Sequence, residues 1–165
     1  MRSRRGVTLA ELLMVLAIMA IASSAILPLV GAESTSRLRA AAELLAADIE
    51  DVQARSLAAP RAPICLLVDE GGTGWRLALV SDPGTPIPDA SGRPRARTFG
   101  HDVLAGCEEL ELVVSELPDE GLRFDDQGAP VALAGPIDFR LRAEDGSTLR
   151  ISVSASTGRV TMFHD

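Results

Sequence analysis

Arg2-Ser3-Arg4-Arg5-Gly6-Val7-Thr8-Leu9-Ala10-Glu11-Leu12-Leu13 opens the chain, and an apolar run continues to Val30. A basic leader, a glycine placed before the apolar run and an acid near its start meet in this stretch. A secretory signal shares the basic start and the apolar core, but its cleavage site follows the core. A cut after Gly6 would keep the hydrophobic segment in the mature chain and expose the amine of Val7. Glu11 lies about one helical turn further on, along the same face. A charged residue at the centre of a membrane helix costs roughly 2.5–3.5 kcal/mol on insertion scales. A nearby amine, on this chain or a packed neighbour, lowers that cost. The other reading places Glu11 at headgroup level, at the end of an anchor.

From Leu12 to Val30 only Ser23, Ser24 and Pro28 interrupt the apolar character. That length approaches the roughly 20 residues a membrane helix needs. The arginine leader predicts a cytoplasmic start, with the remainder on the far side of the membrane. After Gly31, Ser34, Thr35 and Ser36 cap or continue the helix. Leu38, Ala42, Leu45, Ile49 and Val52 then recur at helical spacing, with Arg37, Arg39, Glu43, Glu50, Asp51 and Arg55 on other faces. This pattern predicts an amphipathic helix packed on a core. It ends near Leu57 to Ala59, because Pro60 and Pro63 cannot continue it.

The remainder reads as strands. Ile64 to Val68 and Trp75 to Val80 are apolar runs joined by Gly71-Gly72-Thr73-Gly74. Leu110 to Val114 and Val160 to Phe163 add two more. Ile137 to Arg142 and Leu149 to Ser154 alternate strictly, and Asp145-Gly146 between them signals a hairpin. Asp82 to Gly100, rich in Pro and Gly, reads as a long surface loop. The expected fold class is α+β: a long N-terminal helix, half membrane and half amphipathic, packed on antiparallel β-sheets.

The 165 residues suffice for one domain and an anchor. Formal charge is −7, and removal of Arg2, Arg4 and Arg5 leaves 13 cations against 23 acids. This disfavours a general nucleic-acid binder, whose phosphate contacts need clustered cations. The chain has no Lys, Asn or Tyr, which we read as coding bias. G-x-S-x-G, H-E-x-x-H, a Walker loop and paired C-x-x-C motifs are missing from the sequence, so we expect no enzyme, catalytic residue, cofactor or metal. His101 and His164 are isolated and read as surface histidines. Asp125-Asp126-Gln127-Gly128 invites a calcium reading but lacks the spacing and distant Glu of an EF-hand loop; a turn suits it better.

Gly6-Val7-Thr8-Leu9-Ala10-Glu11-Leu12-Leu13 resembles the type IV prepilin signature, with Val7 in place of the usual Phe. The resemblance implies a pilin-like fold and a leader peptide at 1–6. It also implies cleavage between Gly6 and Val7 by a prepilin peptidase/methyltransferase, and N-methylation of Val7. Glu11 would then pair with a neighbouring subunit's amine during assembly, and Pro28 would kink the helix. The expected organisation is leader 1–6, transmembrane and assembly helix 7–32, amphipathic helix 33–59 and β-rich periplasmic head 60–165.

Toward the C-terminus, Leu122-Arg123-Phe124-Asp125-Asp126-Gln127-Gly128 and Ser156-Thr157-Gly158-Arg159-Val160 resemble the GspH/FimT group. That group comprises minor pseudopilins of type II secretion and minor pilins of type IV systems. The resemblance implies a subunit near the tip of a pseudopilus. Its partners would be other major and minor pseudopilins, an inner-membrane assembly platform and secreted proteins. Its location would be the bacterial inner membrane, single-pass with a periplasmic head, then the periplasmic pseudopilus. The alternative is a FimT-like minor pilin in pilus biogenesis or DNA uptake. Gly158-Arg159 is followed by no further cation, which leaves the basic element of the uptake variant incomplete and makes nucleic acid a poor partner. Arg93, Arg95 and Arg97 alternate in the long loop and, if extended, project to one side. With Arg159 they form a candidate basic contact for phosphate or an acidic partner, against a reading as solvated loop charges. Cys65 and Cys107 lie beyond the membrane segment, where an oxidising compartment permits a disulfide; two buried free thiols are the alternative.

Overall fold

Helix α1 spans Leu9–Ala58. It stops short of Pro60, where a missing amide hydrogen and a fixed φ end the hydrogen-bond ladder. The structure, a computed structural model, describes residues 9–164, with side-chain surroundings for 9–20 and 34–163. The chain divides into two compact units, Met1–Thr35 and Ser36–Asp165.

In the second unit, α1 lays a helical stripe on the core. Leu38, Ala41, Ala42, Leu45, Ile49 and Val52 are buried. Asp48 and Ser56 share that stripe and are also buried. The outer faces carry ion pairs one turn apart, Arg39–Glu43 and Arg55–Asp51, each at 2.8 Å. Such exposed pairs contribute only about 0.3–0.5 kcal/mol apiece.

Two antiparallel sheets complete the head. The first contains β1 (Ile64–Val68), β2 (Gly74–Leu79), β3 (Asp82–Pro86) and β4 (Ala96–Thr98). The second runs β5 (Glu111–Val114), β6 (Ile137–Arg142), β7 (Thr148–Val153), β8 (Val160–His164) in spatial order. Alternation places Ile137, Phe139 and Leu141 of β6, and Leu149, Ile151 and Val153 of β7, in the core. They share one cluster with Leu45, Ile49 and Val52 of α1 and Leu66, Trp75 and Leu77 of the first sheet. Each fully buried side chain of this size contributes roughly 1.5–3 kcal/mol. The β6–β7 hairpin closes at Asp145-Gly146, with Gly146 at φ +86° and Asp145 Oδ1 accepting from Ser147 N at 2.8 Å.

The stretch Asp82 to Gly100 departs from the expected surface loop. Both β3 and β4 pair with β2, along different parts of the same strand. Leu77 N donates to Arg95 O at 3.0 Å, and Leu77 O accepts from Ile87 N at 2.8 Å. Pro83 and Pro86 are compatible with strand here because an edge strand need not donate on both sides. At the tip, Asp89 accepts from Ser91 Oγ and from the amides of Ser91 and Arg93. Those bonds, led by the Ser91 hydroxyl, hold its carboxyl down to about 2.

Cys65 and Cys107 are both free and buried. In this structure the two side chains are not joined. Successive residues of β1 face opposite sides. Ile64 and Leu66 enter the main core, which also holds Cys107, whereas Cys65 packs with Leu67 and Ala78 in a separate cluster. Burial pushes both thiols above their ordinary range.

Gly158 fixes a close approach between helix and loops. Its φ is +67°, and a Cβ there would lie 2.4 Å from both Gln53 Nε2 and Gly128 O. Gln53 Nε2 donates to Gly128 O at 2.6 Å and to Thr157 O at 3.1 Å, tying two loops to α1. Gly158→Ala should destabilise the head by more than the roughly 1–2 kcal/mol that left-handed backbone alone costs. Chemical denaturation of the full chain in detergent measures it; a loss under about 0.5 kcal/mol, the ordinary surface range, would refute the packing argument.

Candidate functional site

The first turns of α1 carry an apolar surface with an acid in it. Leu9, Leu12, Leu13, Met14, Val15, Leu16, Ile18 and Met19 are all exposed, between 53% and 78%. Glu11 lies in the first turn and is exposed as well. Consecutive positions are apolar, so no polar face remains as it does in an ordinary surface helix. An exposed apolar surface of this extent marks a site for membrane or protein contact. Among the described residues, no helix is long and apolar enough to cross a membrane. The expected segment Leu12 to Val30 runs past residue 20 into positions whose side-chain surroundings are not described. Gly6 and Val7 lie outside the described residues, and so does the side chain of Pro28.

The basic candidates are used differently from expectation. Arg95 and Arg97 turn onto α1. Arg95 Nη2 meets Asp48 Oδ1 at 3.2 Å, and Arg97 Nε lies 3.5 Å from Asp48 Oδ2. Arg95 Nη1 also pairs with Asp51. Asp48 accepts a further bond from Trp75 Nε1 at 2.9 Å. Of the three alternating arginines expected to share a side, only Arg95 and Arg97 converge, both on Asp48. They face the protein's own acids and not solvent or phosphate. Arg93 remains exposed beside Asp89, 3.6 Å away, and Arg159 remains exposed on the loop before β8. The four arginines thus form no common patch of free charge.

Asp48 is the residue that sequence reasoning missed. Its signal was its position: three residues after Leu45 and four before Val52, inside the apolar stripe. A carboxylate on such a stripe requires partners, because a buried charge is tolerated only when paired and hydrogen-bonded. The matching cations were legible as Arg95 and Arg97, but their pairing with α1 depends on β4 folding onto β2.

Asp125 to Gly128 forms a turn. Asp125 Oδ1 accepts from Gln127 N at 2.9 Å and Ala129 N at 2.8 Å, and Gly128 takes φ +81°. Among the described residues, no group of three or more His, Cys, Asp or Glu is placed to hold a metal. His101 is exposed at the start of a short 3-10 turn.

Comparison with family models places a signature on the first site. Residues 1–27 match the prokaryotic N-terminal methylation motif. This match supports a type IV pilin-like protein with a membrane-anchored N-terminus and an exposed head. It implies processing by a prepilin peptidase and assembly with other pilin-type subunits. The α+β head with its antiparallel sheets is consistent with a pilin-like fold. No curated protein and no solved structure matched the chain.

Proposed function

We propose that the chain is a minor pseudopilin of a type II secretion system, of the GspH/FimT kind. It is a non-catalytic structural subunit at or near the pseudopilus tip that supports protein export across the outer membrane. It is made in the inner membrane, cut by the prepilin peptidase/methyltransferase between Gly6 and Val7, and methylated on Val7. Through the assembly platform it then joins other major and minor pseudopilins in the periplasm. The observation that carries this reading is an exposed apolar helix with Glu11 in its first turn, under a matched methylation motif. Engagement of Arg95 and Arg97 by Asp48 and Asp51 favours secretion over DNA uptake, since those cations are already neutralised.

Gene deletion, with protein export and DNA uptake measured in the same strain, tests the choice. Lost export with normal uptake supports the secretion pseudopilin. Lost uptake with normal export makes the chain a FimT-like minor pilin, and the exposed Arg93 and Arg159 become the first sites to mutate. A separate prediction concerns maturation. Gly6→Ala should block or slow leader removal, because a side chain at the cut obstructs access of the peptidase to the following bond. Intact mass spectrometry should find the uncut precursor; an unchanged mature mass refutes the role of Gly6.

A further inference from the structure

The C-terminal end of α1 and the turn at Asp125 enclose a pocket of about 250 Å³. Its lining residues are the apolar Pro60, Pro63 and Phe124 together with the acidic Asp125 and Asp126 and with Ser56. Ser56 is only 2% exposed, and its Oγ has no hydrogen-bond partner. Buried hydroxyls are nearly always satisfied, so this one points to a polar group entering from the pocket.

Electrostatics set the sign of that group. Asp125 spends Oδ1 on the turn amides. Asp126 is exposed and, among the described residues, joins no ion pair; neither does nearby Arg61. The helix ends at Ala58, so its carbonyl dipoles add negative potential at the same place. Gln53 holds the turn against α1 through Gly128 O, which keeps the pocket formed.

We propose that this pocket receives a basic side chain, arginine or lysine, from a neighbouring pilin-type subunit. The inference rests on the assembly reading given above. The apolar walls accommodate an aliphatic stem, and the charged head reaches the carboxyls and the Ser56 hydroxyl. A bare metal ion would leave those walls unused.

The test uses the full-length protein in cells, with a photo-crosslinking residue at exposed Gln127 and, separately, at Leu13 on the apolar helix. The Gln127 probe should join a pilin-type subunit at a peptide containing Arg or Lys. Asp126→Arg should lower incorporation into filaments at least tenfold, and Asp substituted for the mapped basic residue should restore it. Crosslinks from Leu13 without any from Gln127 overturn the pocket and leave the assembly reading standing. Unchanged incorporation of Asp126→Arg does the same. Failure of both probes to reach another pilin-type subunit overturns both.

Discussion

Asp48→Ala is expected to destabilise the head by about 3 kcal/mol, at the lower end of the range for breaking a buried ion pair. The loss has two sources. Arg95 and Arg97 would keep their positions over α1 with side chains only 16% and 22% exposed and with their common anion gone. Trp75 Nε1 would lose its acceptor inside the core, and an unsatisfied buried donor alone costs about 1–3 kcal/mol. The two terms overlap, because relaxation of one arginine toward solvent lets water reach the indole. Asp48→Asn separates them. An amide oxygen still accepts from Trp75, so this variant should lose less than Asp48→Ala and report mainly the missing charge. Asp51→Ala should lose least, near 1 kcal/mol or below, since its side chain is 31% exposed and solvent screens the pair. Denaturant unfolding of the three full-length variants in one detergent gives the order. A loss below about 1 kcal/mol for Asp48→Ala would show that the cluster does not hold β4 to the helix.

That cluster also marks where the sequence stops being legible. Local chemistry dictated the helix end at Pro60, the β6–β7 alternation and the Asp145-Gly146 turn, and each appears where its residues predict. The segment around Arg93 to Arg97 was different. Its prolines and glycines argued for a loop, and that argument holds for an isolated chain. Tertiary pairing overrides it: β2 offers an unpaired edge, and Asp48 offers a buried anion. Neither is encoded near the arginines themselves. The same limit applied to Cys65. Its compartment permitted a disulfide, but the face of β1 on which it sits separates it from Cys107.

Glu11→Val should leave membrane insertion intact and abolish entry into a filament. The insertion half follows from solvation. Removing a carboxylate from an apolar helix takes away a cost of up to roughly 2.5–3.5 kcal/mol, so the variant partitions into lipid at least as well as the parent. The assembly half follows from register. The helix surface around Glu11 consists of Leu, Met, Ile, Val and Ala side chains, which pack against a similar helix at many axial offsets with little difference in energy. A lone acid opposite a neighbour's N-terminal amine makes one offset preferred, because every other offset leaves a charge in hydrocarbon unpaired. Glu11→Gln refines the argument. It retains a hydrogen-bond acceptor but no charge, so it should insert normally and assemble at an intermediate level. The measurement is co-purification of each variant with other filament subunits, beside a membrane-fraction control. Glu11→Val recovered from filaments at the parental level would sink the charge-pairing role. The apolar surface would then act as an anchor alone.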